Sequence, residues 1–219
     1  MSALATFWGS TVGKKIVMGV TGVILVGFVI VHMAGNLQFF MGADRFNGYS
    51  RFLKHDIIEL TWIVRIALIV SVMLHVTAAY QLTMIARAAR PAGYAMRDLQ
   101  AATYASRAMR WGGVYLLVFI VYHIGHLTLG WFHPAFSETG AWGNVAIGFQ
   151  SWPVSLFYLG AMLLLAMHLY HGIWAFMRTL GLSRPSANPR HRRAALVLAV
   201  VVSVGFSLLP LSVVLGIVR

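Results

Sequence analysis

The sequence predicts an all-α integral membrane protein, a bundle of five transmembrane helices, on three observations. The chain is 59% hydrophobic and only 10% charged over 219 residues, with a mean hydropathy of +0.77, which is too apolar for a water-soluble domain of this length. Its apolar residues gather into five runs of spanning length, roughly 16–40, 57–86, 109–132, 153–180 and 194–218. Between the runs stand helix breakers: Pro91 and Gly93, then Pro134, Gly140 and Gly143, then Pro185 and Pro189. No connection has room for a soluble domain, and there is no internal repeat, so residues 1–219 are expected to form one transmembrane domain.

Each run is bounded by charge. The first continues from Ile16 to about Phe40, longer than the apolar core of a secretory signal, and is expected to stay in the mature protein. Lys14 and Lys15 precede it. Arg87, Arg90, Arg97, Arg107 and Arg110 join the second run to the third, and Arg178, Arg184, Arg190, Arg192 and Arg193 join the fourth to the fifth. All fall on one side of the bundle, with Asp98 the acid among them. The other side carries Arg45, Arg51, Lys54, Arg65 and Arg219 against Asp44, Asp56, Glu59 and Glu138. By the positive-inside rule the N-terminus is expected in the cytoplasm and the C-terminus outside; the expected location is a bacterial cytoplasmic membrane. The net charge of +12 is therefore read as topology rather than as a nucleic-acid surface. Trp62, Trp111, Trp131, Trp142 and Trp152 near the span ends are expected as interfacial anchors in membrane lipid.

Four of the apolar runs each carry a central histidine: His32, His75, His123 and His168. An ionisable side chain at that depth is costly and points to function. The chain has no cysteine, which excludes thiolate ligands and c-type haem attachment. Neutral imidazoles facing each other across a bundle suit the two axial positions of a b-type haem, and four of them serve two haems. Interhelical hydrogen bonding would explain one such histidine; two matched pairs favour haem. Gly19, Gly22 and Gly27 fit close approach to a flat macrocycle or ordinary helix packing equally well.

Depth suggests the pairing. His32 lies 17 residues from Lys15, His123 13 from Arg110, His75 12 from Arg87 and His168 10 from Arg178. At ~1.5 Å per residue these are roughly 25, 20, 18 and 15 Å from the basic boundary. His32 with His123 would hold an outer haem, His75 with His168 an inner one. His126 and His171, three residues after His123 and His168, share their helical faces. On depth alone His126 matches His32 better than His123 does, so residue reading leaves His126 and His171 as alternative ligands or as polar neighbours of haem propionates. His55, His133 and His191 are expected as solvated loop residues.

The stretch from Gly13-Lys-Lys-Ile-Val-Met-Gly-Val-Thr-Gly22 through Val31-His32-Met-Ala-Gly-Asn36 resembles the first helix of the single-chain, two-haem cytochrome b anchor of succinate dehydrogenases and fumarate reductases. Ser106-Arg-Ala-Met-Arg-Trp111 to Tyr122-His123, and Met167-His168-Leu-Tyr-His-Gly-Ile-Trp174 to Leu180-Gly181, are similar to its third and fourth helices. The resemblance implies ligands His32, His75, His123 and His168, paired first helix with third and second with fourth. It also implies two soluble partners, a flavoprotein subunit that interconverts succinate and fumarate and an iron-sulfur subunit, with electrons passed to a membrane quinone, often menaquinone.

Anionic haem propionates need compensating charge. Arg65, beginning well inside an apolar run, is the candidate for the outer haem, and Arg110 and Arg178 for the inner, with snorkelling at least as good an account of the last two. Asp44, Asp56 and Glu59 are candidate proton relays for quinone reduction, or simply solvated loop acids. Cytochromes b of hydrogenase, formate dehydrogenase or quinol:cytochrome c complexes are the rival class. In the last, two helices bear two ligands each, whereas here four helices give one each. A proton-coupled transporter would also use intramembrane histidines, but broken helices and an inverted repeat are missing from the sequence.

Overall fold

The computed structural model describes residues 2–89, 104–182, 184 and 188–218. Arg90, Pro91, Gly93, Arg97, Asp98, Pro185 and Arg219 lie outside the described residues. Among the described residues the fold is all helical. A short α1 (Ala3–Gly9) leads into α2 (Thr11–Leu37), which continues as a 3-10 turn, Gln38–Met41. Next come α3 (Ala43–Arg51), a π turn (Phe52–Asp56) and α4 (Ile58–Ala88). The second half holds α5 (Tyr104–Leu127), a short α6 (Ala141–Gly148), α7 (Trp152–Thr179) and α8 (Asn188–Val214). Among the described residues five helices are long and apolar enough to cross a membrane: Thr11–Met41, Ile58–Ala88, Tyr104–Leu127, Trp152–Thr179 and Pro189–Val214. At ~1.5 Å per residue the spans measure about 36–46 Å.

Local chemistry fixes where the helices begin and end. α2 starts earlier than hydropathy alone suggests because the Ser10 hydroxyl accepts from the Gly13 amide at 2.9 Å, a serine N-cap. Lys14 is buried. Its ammonium donates to the carbonyls of Trp8 (2.6 Å) and Gly9 (3.1 Å), closing the C-terminus of α1. This lysine thus joins two helices as well as adding basic charge.

α5 stops at Leu127, not near 132. Its last carbonyls turn back into the loop, with Leu129 N donating to Ile124 O and Trp131 N to Gly125 O, and Gly130 supplies the left-handed residue at φ 72°. α7 opens on Ser151 with Pro153 in its first turn, where the missing amide hydrogen costs nothing. Pro210 lies inside α8.

The packing places α7 most closely on α8, α4 on α2, and α5 on α7, with α2 also touching α8 and α7. Neither α2 with α5 nor α4 with α7 is among the extensively packed pairs. The helices therefore form two packed pairs, α2/α4 and α5/α7, joined at one edge by α8. One buried cluster, Val202, Ala199 and Leu169 with Met33 and Phe206, lies where α2, α7 and α8 meet. A second, around Phe39, Phe46, Val145, Phe149 and Tyr158, closes the end of the bundle opposite the basic one.

That closed end gives Trp142 a packing role that the sequence reading did not assign it. Trp142 is half-buried: it stacks on Phe39 at 5.4 Å, and its indole donates to the Phe39 carbonyl at 3.1 Å. Trp62, Trp111, Trp131 and Trp152 are exposed, as the anchor reading expects. The α5–α6 connection is pinned by buried Asn144, whose amide donates to Ser137 O (2.7 Å) and whose carbonyl accepts from Ser137 N (2.9 Å).

Candidate functional site

Two histidine pairs cross between the packed helix pairs. His32 of α2 and His123 of α5 have ring centres 5.8 Å apart, with ring planes at 79°. His75 of α4 and His168 of α7 are 6.2 Å apart at 49°. Both contacts therefore join helices that are not extensively packed on each other.

Stacking sets the first pair. Phe28 stacks on His32 at 5.1 Å and Phe119 on His123 at 5.6 Å, each phenylalanine one helical turn before its histidine. Phe206 of α8 covers His32 from another side at 5.6 Å. Asn36, one turn later, donates to the His32 carbonyl at 2.7 Å and sits 3.3 Å from both ring nitrogens.

Hydrogen bonding sets the second pair. His75 Nδ1 lies 3.0 Å from the Met18 carbonyl of α2. A carbonyl only accepts, so Nδ1 carries the hydrogen and Nε2 keeps the lone pair a metal would use. The Thr21 hydroxyl, itself donating to Val17 O at 2.7 Å, is a second acceptor for the same Nδ1–H at 3.3 Å. Gly22 lies beside this ring, where a Cβ would stand in ordinary van der Waals contact with His75 Cε1 at 3.5 Å. Across the pair, His168 Nδ1 is buried with no hydrogen-bond partner.

His126 is 1% exposed. Its Nδ1 lies 3.0 Å from the Tyr158 hydroxyl, and its ring stacks on His133 at 5.2 Å. These contacts turn it toward α6, while His123 is the histidine that meets His32. His133 is not a solvated loop residue. Its Nε2 donates to Asn144 O at 2.8 Å and its Nδ1 accepts from Ala135 N at 3.0 Å, so backbone groups hold both nitrogens. His171 is half-buried, 6.1 Å from the Trp174 ring. His191 lies in the first turns of α8 and is half-buried rather than in a loop. His55 is exposed, as expected.

Arg65 is half-buried and sets its guanidinium 5.0 Å over Trp62 of its own helix. Arg110 is exposed at the start of α5. Arg178 and Arg192 share one indole, with guanidinium carbons 5.1 and 4.5 Å from the Trp174 ring centre. The Arg192 Nε is buried without a hydrogen-bond partner. Sequence reading counted Arg192 only as topology charge; its place over the Trp174 ring is decided by how α8 packs on α7. Of the carboxylates, Asp44 lines a cleft of about 390 Å³ with Arg51, Lys54, His55 and Glu138. Asp56 and Glu59 are exposed and do not line it.

Sequence reading missed Tyr158. Its only advance signal was a phenol in a spanning run, where a hydroxyl must find a partner. Among the described residues no group of three or more His, Cys, Asp or Glu side chains is placed to hold a metal ion. The donor sets are pairs, which suit a metal whose remaining ligands come from a macrocycle rather than from protein. Comparison with protein-family models, with curated proteins and with solved structures finds no match, so the chemistry of the site is carried by its own residues.

Proposed function

We propose that the chain is a dihaem cytochrome b, the membrane anchor of a succinate:quinone oxidoreductase, passing electrons between an iron-sulfur subunit and a membrane quinone. The observation that carries the haem assignment is the spacing of the two histidine pairs, 5.8 and 6.2 Å between ring centres. A metal with an imidazole bond of about 2 Å on each side would fit between rings at this separation.

The donor chemistry supports the same reading. His75 is held in the tautomer that leaves Nε2 basic, and an Nδ1–H acceptor is the usual companion of a metal-bound histidine. The unpartnered His168 Nδ1 is the opposite nitrogen problem, a buried polar atom that a ligand or a propionate would satisfy. His32 and His123 would hold one b haem, His75 and His168 the other. Arg178, with Arg192 beside it, would compensate propionates at the basic end, and Arg65 those at the opposite end. Bound in these positions, haem supplies reversible one-electron transfer. The protein contributes the imidazoles, the cations and an apolar setting that excludes water.

The chain has neither cysteines for an iron-sulfur cluster nor a dinucleotide fingerprint, so succinate and fumarate chemistry belongs to the flavoprotein partner. Menaquinone is the proposed quinone, on the resemblance alone. The deciding experiment is a pyridine haemochrome assay on the purified chain, with the complex then isolated intact. Two low-spin b haems per polypeptide, with flavoprotein and iron-sulfur subunits copurifying, is the expected result. One haem or none overturns the dihaem reading, and copurification with a hydrogenase or formate dehydrogenase overturns the choice of enzyme.

A further inference from the structure

Two imidazoles share one hydroxyl in the buried core of the α5/α7 pair. His123 Nδ1 lies 3.3 Å and His126 Nδ1 3.0 Å from the Tyr158 oxygen. Tyr158 is 5% exposed and is hemmed in by Phe119, Tyr122 and Phe149, so water is a poor third partner. A phenol has one hydrogen to give and lone pairs to receive. In the haem reading, on which this inference rests, His123 uses Nε2 for the metal and must carry its hydrogen on Nδ1. That hydrogen can only be donated to the Tyr158 oxygen. The Tyr158 hydrogen then has one acceptor within reach, Nδ1 of His126.

We infer that Tyr158 is a positioning residue for the His32/His123 site, accepting from His123 and donating to His126, so that His126 tunes the electron-donating strength of a ligand it does not touch. His126 is fixed for this task. A Cβ on Gly148 would lie 2.9 Å from its Cε1 and Nε2 and 3.1 Å from His133 Nε2, so only glycine lets α6 approach so closely. His133, stacked on the other side, is anchored at both nitrogens.

The second site is built differently. His75 donates to a backbone carbonyl, and no tyrosine hydroxyl bonds to either His75 or His168 among the described residues. The chain Nδ1–H of His123 to Tyr158 to His126 therefore acts on one haem only. An acceptor on Nδ1–H makes an imidazole more basic and favours oxidised iron, which lowers the midpoint potential. Donation onward to His126 polarises the phenol and strengthens that effect.

The test is a redox titration of the assembled complex, followed by visible absorption and low-temperature electron paramagnetic resonance. Tyr158→Phe keeps the ring and removes the hydroxyl. It should retain two haems per chain, raise the midpoint potential of the component that His32→Ala abolishes, and leave the other component where it was. His126→Leu keeps the hydroxyl on His123 but removes its acceptor, and should move the same component in the same direction by less. Unchanged potentials in a Tyr158→Phe protein with both haems would overturn the inference. So would equal shifts in both components, which mark a general loosening of the bundle. If Tyr158→Phe loses haem, His126→Leu decides on the same criteria. A wild-type protein without haem would overturn the haem reading itself, a result distinct from every outcome above.

Discussion

At the scale of single residues, the histidines divide by what holds their second nitrogen. His75 is fixed by the Met18 carbonyl, His123 by the Tyr158 hydroxyl, and His133 by two backbone groups. His75 and His123 each keep Nε2 open as ligand candidates, whereas His133, engaged by backbone at both nitrogens, is a structural part. His75→Ala and His32→Ala are expected to abolish different spectral components in folded protein, because the two side chains belong to different ring pairs. Loss of the same component from both, in difference spectra of the purified variants, would reject the pairing. Gly148→Ala should cost about 1–3 kcal/mol in detergent unfolding, the usual penalty for overfilling a packed site, since His126 and His133 leave the new methyl no room. The four central histidines were legible in the sequence because each is an isolated polar residue in an apolar run. Tyr158, His126 and His133 were not, because their partnership spans 32 residues from Tyr158 to His126 and depends on how α5 is rotated against α7.

At the scale of elements, the short helices tie the ends of the long ones together. α6 has no side-chain cap of its own from Gly140. The cap comes instead from α3, where the Asn47 side-chain oxygen accepts from the Trp142 amide at 2.8 Å, across 95 residues of sequence. Asn47→Ala is expected to destabilise the fold by about 0.5–2 kcal/mol, the range for losing an N-cap, and to free the α3–α6 corner. Faster amide hydrogen exchange at Trp142, with exchange in the middle of α7 unchanged, would show it. The spanning helices were legible from hydropathy and length, but their ends were not. Ser10 draws α2 back to Thr11, and the turn at Gly130 ends α5 at Leu127, because both boundaries are set by hydrogen bonds to individual groups rather than by the apolar pattern.

At the scale of the whole molecule, the charge asymmetry should set the orientation in the membrane, and the absence of cysteine makes this simple to test. In sealed inverted vesicles, a cysteine replacing Arg190 should react with an impermeant maleimide, and one replacing Glu138 should not. The reverse pattern would invert the proposed topology. In the assembled complex, a photocrosslinker at position 190 should capture the iron-sulfur subunit; capture from position 138 alone would put the docking face at the opposite end. If electrons cross the bilayer between those two faces, moving one charge through the full membrane potential is worth about 2.3 kcal/mol per 100 mV. Quinone turnover in sealed vesicles should then respond to an uncoupler, and indifference of both its rate and its equilibrium would count against electrogenic coupling. The sequence by itself determined that there are five spans, where the charges gather and that four histidines lie deep within four of them, since each follows from local composition and a fixed rise per residue. Only the tertiary structure decided which imidazoles face each other, that Tyr158 stands between His123 and His126, and that Trp142 and Lys14 serve the packing, because these depend on helix rotation and on contacts between residues far apart in the chain.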